Sequence, residues 1–429
     1  MLSLRPGWGR VGSQPTDEYL FFSKYTGTDS YNGANSIYPS NIRLSNLQWE
    51  EKETWNVGFD LGLFNNMITA DFNIYTQMTS KLLMRDVKLP SSSGFSSLSW
   101  TNVGKMRNNG WEFNVNGTDV VKVGKFRLGF NVTFANNKNE IVEMEPTALS
   151  NLNKDFDNKN GSYLTRIQLN NPFGAIYGFR YKGVYQYSDY SEVEVPGVSG
   201  PNAPVARDEN GNVIRDKAGF TIPMVFGYDK TTNTELYEFQ GGDAIYEDIN
   251  HDGNINELDI VYLGSSLPKI TGGWGLKLSY GRWSLNAQFN FRAGNKVINE
   301  ARMNAESMYN NNNQAASVNW RWRTEGQVAE IPRALYNKGF NYLGSDRFVE
   351  DASFMRLNYL SLGYSLNPKL LRRIGVNSLS INLNASNLFC LTNYSGADPE
   401  VGYGGMSVAT DGAKTPRSRQ FTARVQIGF

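Results

Sequence analysis

The sequence is poor in the residues that build most catalytic and metal centres. Its 429 residues include one Cys and one His, which excludes an internal disulfide and a thiolate metal site and disfavours a His-based triad. No nucleophile motif or phosphate-binding loop is present. We therefore expect a protein that is not an enzyme and has no catalytic residues.

Charge and long apolar runs are also scarce. Charged residues make up 19%, and 42 Lys and Arg balance 41 Asp and Glu, without the basic stripe that a nucleic-acid binder carries. Apolar runs are short, such as Leu388 to Leu391, whereas a transmembrane helix needs about 20 apolar residues. The first eight residues lack the apolar core and cleavage site of a signal peptide. These features exclude nucleic-acid binding and helical membrane spans.

Apolar and polar residues instead alternate with a period of two. From Trp283 to Ala293 every second residue is apolar, and Ser, Asn, Gln or Arg lies between. Such alternation predicts a β-strand with one apolar and one polar face. Roughly twelve such strands are predicted, over 2–11, 54–64, 67–77, 109–120, 126–136, 162–169, 174–185, 271–280, 283–293, 353–366, 378–389 and 419–429.

The connections between these strands alternate between short and long. Short turns are predicted near 65–66, 123–125, 170–172, 281–282 and 367–377, and long loops separate the remaining strands. All tight turns then lie at one end of the strands, as in an outer-membrane β-barrel. Tyr280 and Trp283 flank one turn, as expected for a membrane–water boundary. We predict an all-β, transmembrane antiparallel β-barrel with long extracellular loops.

Two other architectures fit the same alternation. A soluble β-sandwich also pairs an apolar face with a solvated one, although its strands are usually shorter, about 5–6 residues. A complete twelve-stranded barrel is allowed because twelve is an even number. The corresponding alternative function is a calcium-braced surface or secreted β-rich protein that binds glycans.

One loop has the spacing of a calcium site. Within the predicted long loop 186–270, the segment 248–259 reads D-x-N-x-D-G-x-I-N-x-x-D, which fits the twelve-residue calcium loop. The predicted metal ligands are Asp248, Asn250, Asp252, Asn254, Asn256 and Asp259. The alternative is an Asx-rich turn that satisfies its own backbone. We expect Ca²⁺ to brace this external loop structurally.

Several short segments together resemble SusC/RagA-type TonB-dependent outer-membrane transporters. The C-terminal ones are 350–357, 360–366, 387–389, 392–396 and 398–401; the upstream ones are 47–50, 102–104, 178–183, 248–259 and 268–269. These segments extend from the first strands almost to Phe429. The resemblance therefore covers nearly the whole chain.

The resemblance implies more than the pattern does. It implies a 22-stranded barrel with an N-terminal plug, of which about twelve strands are present here. Residues 1–429 are then the C-terminal portion of one barrel domain, without plug or signal peptide. It further implies active import of large nutrients, glycans or oligopeptides, across the outer membrane of a Gram-negative bacterium. The implied partners are a SusD-like surface lipoprotein, the TonB complex through the missing N-terminal part, and the lipid bilayer.

The predicted polar faces would line the path of the imported substrate. Asn286, Gln288, Asn290, Asn382 and Asn384 lie at polar positions of their strands. The identity of the substrate does not follow from these residues, since amide side chains hydrogen-bond to sugars and to peptides alike.

Overall fold

Ten long strands form one antiparallel sheet in the computed structural model. The model describes residues 1–14, 18–20, 22–27, 37–153, 159–164, 166–189, 204–227, 237–371, 375–402 and 407–429. The strands are β1 (Leu2–Ser13), β2 (Glu50–Leu63), β3 (Ile68–Ser80), β4 (Gly104–Val123), β5 (Phe126–Met144), β6 (Ile270–Tyr280), β7 (Trp283–Ala293), β8 (Phe354–Ser365), β9 (Ser378–Ser386) and β10 (Gln420–Gly428). Each strand pairs with the next one in sequence, so the sheet is a continuous meander.

Short and long connections alternate along this meander, as the sequence predicts. The short ones are 64–67, 124–125, 281–282 and 366–377, and the long ones are 14–49, 81–103, 145–269, 294–353 and 387–419. In the first turn Asn65 and Asn66 have φ values of +56° and +64°, the left-handed conformation that tight hairpins require. All long connections therefore lie at the same end of the strands.

Two of the twelve predicted strands are absent from the sheet. The described residues of 162–169 form no strand, and 174–185 contains only Ala175–Gly178 and Tyr181–Val184, which pair outside the main sheet. The consecutive residues Ile176 and Tyr177, whose side chains point to opposite faces of a strand, are both almost fully buried, and so is Phe179. Burial on both faces is incompatible with a wall strand that has one face toward lipid. The two missing strands are consecutive, so the three predicted connections around them merge into one long connection, 145–269. The alternation of short and long connections is therefore preserved.

The compact hydrophobic cores lie mainly in the long connections, and one of them includes Ile141 and Met144 at the end of β5. The largest core gathers Tyr177, Phe179, Phe239, Tyr246 and Ile255 with further residues of 164–260 and Leu343. Smaller cores form around Ile141, around Met303 and Phe348, and around Val297 and Ala409. The helices and strands of the long connections are short, because most of this backbone forms turns. The long connections thus form a folded platform at one end of the sheet.

The platform contains short paired strands and short helices. The strand pairs are Tyr25–Gly27 with Ile37–Pro39, Leu83–Lys88 with Ser97–Asn102, Ala175–Gly178 with Val261–Ser265, Tyr181–Val184 with Ala244–Tyr246, and Lys296–Ile298 with Val349–Asp351; Val225–Phe226 pairs with both Tyr237–Glu238 and Asn254–Ile255, and Cys390–Thr392 pairs with β8. The α-helices are α1 (Pro146–Leu152), α2 (Glu300–Glu306) and α3 (Pro368–Leu371), of which α3 lies in a short connection; single 3₁₀ turns span Ser91–Ser93, Tyr187–Asp189, Glu257–Asp259, Ala316–Trp320 and Asp346–Phe348. Within the described ranges, the structure contains no helix long and apolar enough to cross a membrane.

The outer edges of β1 and β10 have no partner strand among the described residues. β1 pairs only with β2, and β10 only with β9. The sheet described here is therefore open, and the twelve-stranded closed barrel is not what these strands form. Unpaired edges present rows of N–H and C=O groups that recruit other strands.

We expect the isolated 429-residue chain to associate through these edges when it is folded in detergent, because an apolar environment does not satisfy free backbone groups. Size-exclusion chromatography with light scattering should show heterogeneous oligomers. A monodisperse, protease-resistant monomer would contradict this expectation.

Candidate functional site

The main sheet presents one apolar and one polar face across all of its strands. One row across five strands consists of Leu278, Leu285, Leu362, Leu383 and Ala423. The adjacent row consists of Lys277, Asn286, Ser361, Asn384 and Thr422. Successive residues of a strand point to opposite faces. The strict register therefore keeps all apolar side chains of these rows on one face and all polar ones on the other.

Aromatic side chains mark the tight-turn end of the apolar face. Phe126, Tyr280, Trp283 and Tyr364 lie side by side on four strands. The rings of Trp283 and Tyr364 are 4.6 Å apart. Trp and Tyr concentrate at the membrane–water boundary because each combines an apolar ring with a polar tip. The row has the composition and the position that a boundary girdle would have.

The polar face carries a network of amide side chains. The Gln288 Nε2 atom donates to Asn131 Oδ1 at 3.3 Å and to Asn286 Oδ1 at 3.1 Å. The Tyr359 hydroxyl donates to Asn384 Oδ1 at 2.8 Å. A Cβ atom at Gly275 would collide with the amides of Gln288 and Asn131, so a glycine there leaves room for the network.

The five polar residues predicted to line a path lie on this polar face. Asn286, Gln288 and Asn290 alternate along β7, and Asn382 and Asn384 along β9. Charged side chains also lie on this face, among them Lys277 and Arg424, and the guanidinium of Arg5 lies 2.6 Å from Asp60. The face can therefore hydrogen-bond to hydrated solutes.

The predicted cation loop, 248–259, lies in the connection 145–269 and is closed by its own side chains. The Asp248 carboxylate accepts from the Gly253 amide at 2.8 Å, and the Asp252 carboxylate accepts from the Asn254 amide at 2.8 Å. Asp259 accepts from the amides of Ile249 at 2.8 Å and Asn256 at 2.9 Å. These bonds shape the loop in the manner of consecutive Asx turns.

The electrostatics of the loop are unfavourable without a positive charge. Asp259 is fully buried, and its pKa is raised to about 6, mainly by burial and further by the charges of Asp248 and Asp252. The Asn254 Oδ1 atom is buried and has no hydrogen-bond partner in the described part of the chain. Oxygen donors of this kind fit a hard cation such as Ca²⁺.

The ligand atoms are not gathered into a ready-made cluster. Among the residues that the structure describes, no three His, Cys, Asp or Glu side chains are grouped as a metal site. Three of the six predicted ligands are Asn, and Asn256 uses its Oδ1 atom to accept from the Leu258 amide at 2.8 Å. The assignment of these six residues as calcium ligands stays a prediction.

The loop packs against a small repeat that the sequence analysis missed. In 208–212 and again in 216–220, an Asp Oδ1 atom accepts two backbone amides, from Asn210 and Asn212 and then from Ala218 and Phe220. Arg207 and Arg215 each donate to a glycine carbonyl four residues later. The motif R-D-x-x-G, which occurs twice with a spacing of eight residues, is the signal that would have revealed it.

Gly253 forms the contact between the repeat and the loop. It has a φ of +79°, and a Cβ atom there would lie 2.8 Å from Ile222 and 2.9 Å from Ala206. The Nδ1 atom of the neighbouring His251 lies 3.0 Å from the carbonyl oxygen of Arg207. A rearrangement of the loop would therefore displace the repeat.

A one-sided antiparallel meander with an aromatic girdle and all of its long connections at one end has the architecture of a membrane β-barrel wall. Residues 2–211 match the family model described as TonB dependent receptor-like, beta-barrel. Just under half of the chain therefore matches a TonB-dependent receptor-like β-barrel domain.

Curated relatives match along the whole chain. TonB-dependent receptor P39 of Formosa agariphila is 27% identical over 444 residues, which cover 100% of this chain and 40% of the relative. TonB-dependent receptor SusC of Bacteroides thetaiotaomicron is 24% identical and covers 100% of this chain and 37% of the relative. The chain thus spans about 40% of the length of these relatives.

Solved structures of similar fold belong to a peptide transporter. The structure of the RagAB peptide transporter has a TM-score of 0.68 and 23% identity, covering all of this chain and 41% of the matched chain. The RagAB peptide importer in its closed-closed state has a TM-score of 0.69 and 24% identity, with coverage of 100% and 41%. These similarities confirm the barrel-type fold.

A charged substitution should affect the stability of the protein differently on the two faces of the sheet. Leu362→Arg on the apolar face should destabilise the membrane-inserted protein by about 1–2 kcal/mol, because a cation would enter hydrocarbon between the girdle row and the midplane. Ser361→Arg, one residue away on the polar face, should change stability by no more than about 0.5 kcal/mol. Urea titration of the protein in outer membranes, followed by heat-modifiable gel mobility, measures both. Equal losses for the two variants would contradict the assignment of faces.

Proposed function

We propose that this chain forms part of the wall of a transporter in the outer membrane of a Gram-negative bacterium, which imports large nutrients such as glycans or oligopeptides. The observation that carries the proposal is the division of the sheet into an apolar and a polar face, seen in rows across the five strands β6 to β10. The match to TonB-dependent receptors along the whole chain supports it. The remaining strands and a plug would lie in the rest of a longer protein.

The geometry suggests a separate role in transport for each part of the protein. The apolar face contacts lipid, and the girdle of Tyr280 and Trp283 fixes its depth. The amide network around Gln288 lines a hydrated path. The folded platform faces outward, where it meets substrate and a SusD-like surface lipoprotein. The TonB complex supplies energy from the inner membrane. No covalent bond of the substrate changes in this process.

The transport proposal is tested in cells that make the tagged protein. It should remain in the outer-membrane fraction after a carbonate wash, and the cells should accumulate a labelled oligosaccharide or oligopeptide only while the proton-motive force is intact. Cells lacking the gene are the control. Release by carbonate, with no energy-dependent uptake, would contradict the proposal and favour a surface or secreted glycan-binding protein.

We also propose that Asp248, Asn250, Asp252, Asn254, Asn256 and Asp259 bind Ca²⁺ in the outward platform. The support is the ligand spacing, the buried unpartnered Asn254 Oδ1 atom and the mutual repulsion of three carboxylates. The cation would supply the positive charge that these oxygens lack. Its role is structural, because the loop contacts the 204–223 segment.

Removal of calcium should loosen this platform. Calcium at one hundred times its Kd disfavours local opening by about 2.7 kcal/mol, about a hundredfold. Limited proteolysis of outer membranes should therefore cut 186–270 faster with chelator than with calcium. A variant carrying Asp248→Ala and Asp252→Ala should be cut at the fast rate in both conditions.

Asp216→Ala provides the matched control for the cation loop. It removes an Asx turn in the neighbouring repeat, where the Asp216 Oδ1 atom accepts two amides, but it leaves the proposed ligands intact. Its cleavage should still slow when calcium is added. If cleavage of the unmodified protein is the same with calcium and with chelator, the calcium proposal is wrong.

A further inference from the structure

A groove lies between two of the long connections, on the outward platform. One wall is the segment 43–47 and the other is the C-terminal half of the strand Ser97–Asn102. Its volume is about 350 Å³, which is in the lower part of the range for small-ligand sites. The lining residues are Arg43, Leu44, Ser45, Asn46, Leu47, Leu98, Trp100, Thr101 and Asn102.

Both walls of the groove are held in place. The Asn102 side chain bridges the two connections, because its Nδ2 atom donates to the carbonyls of Gln48 at 2.9 Å and Lys81 at 2.8 Å, and its Oδ1 atom accepts from the Gln48 amide at 2.9 Å. Leu44 is buried and anchors the other wall. The groove is therefore formed before any ligand binds, which lowers the ordering cost of binding.

The groove combines an aromatic ring with unused polar groups. Trp100 lines it, and the Arg85 guanidinium carbon lies 4.4 Å from the centre of the Trp100 ring. The side chains of Arg43, Ser45, Asn46 and Thr101 make no hydrogen bond or ion pair with any residue that the structure describes. No Asp or Glu is among the lining residues. The groove thus offers a ring, several hydroxyl and amide groups, and a cation that has no ion-pair partner among the described residues.

We propose that this groove binds an acidic sugar unit of an oligosaccharide. A pyranose ring has an apolar C–H face that packs on an indole, and hydroxyl groups that bond to Ser, Asn and Thr side chains. A carboxylate on the sugar would pair with the fork of Arg43. An acidic peptide supplies the charge but lacks a flat face with hydroxyl groups around it. The inference rests on the proposed import function and names its substrate class.

The test measures binding to outer membranes from cells that make the protein. The probes are fluorescein-labelled hexagalacturonate, neutral maltohexaose and hexaglutamate. Hexagalacturonate should bind more tightly than both comparators. Arg43→Gln should weaken its binding roughly tenfold, since a hydrogen bond to a charged group contributes about 1.5–3 kcal/mol. Trp100→Phe should keep part of the affinity, and Trp100→Ala should lose at least as much as Arg43→Gln.

Trp320→Ala is the matched control, because Trp320 is a tryptophan 78% exposed in another connection; binding should be unchanged in this variant. Undiminished binding in both Arg43→Gln and Trp100→Ala would overturn the site. Tighter Arg43-dependent binding of hexaglutamate would overturn the sugar assignment.

Failure of this proposal is distinguishable from failure of the transport proposal. Correct outer-membrane insertion and energy-dependent uptake, without groove-dependent binding of hexagalacturonate, would reject only the groove. Release of the protein by carbonate would reject the transporter itself, even if the groove still bound the probe.

Discussion

The backbone pairing of each strand with its neighbours along the meander is the constraint on which the rest of the structure depends. Hydrocarbon offers no water to satisfy a free peptide group, so a membrane wall made of strands must keep an unbroken ladder. The ladder fixes the register, and the register assigns each side chain to a face. A slip of one residue would carry Lys277 and Asn286 to the lipid side, because the side-chain period is two.

This constraint also explains why the compact cores lie in the connections. A wall strand buries neither of its faces in protein of its own chain, and the described sheet accordingly has few fully buried side chains. Irregular backbone is confined to one end, where it folds around its own apolar residues. Tyr177, Phe179 and Tyr246 pack together there.

Buried ion pairs stiffen the platform further. Asp243 is fully buried and lies 2.7 Å from Arg333, while Glu306 lies 2.7 Å from the buried Arg347. Burial alone would raise the pKa of Glu350, but hydrogen bonds from Ser395, Asn299 and Arg302 hold it below its usual value. Breaking one member of such a pair leaves an uncompensated buried charge. The platform is therefore suited to hold a groove and a cation loop at fixed positions.

The groove and the cation loop use this platform in different ways. The groove between 43–47 and 98–102 leaves polar side chains unused by the fold, whereas the loop 248–259 directs its carboxylates to its own backbone. The unused polar groups of the groove are available to a ligand, whereas the carboxylates of the loop also shape its own backbone. The groove is therefore proposed to recognise a ligand, and the loop to brace the fold.

The sequence by itself determined the two faces of the wall, the alternation of connections and the spacing of the cation loop. These features are local, because a period of two and a twelve-residue spacing can each be recognised within a short stretch of sequence. Ten of the predicted strands, among them Trp283–Ala293, lie in the sheet for this reason.

Only the tertiary structure decided where an apolar segment packs. Residues 174–185 have the apolar content of a strand, but their partners, such as Ile255, Ala244 and Leu343, are distant in sequence. The same is true of the groove, whose walls come from two separate connections joined by Asn102. Alternation predicts which face a side chain takes, whereas long-range packing determines whether that face meets lipid or a folded core.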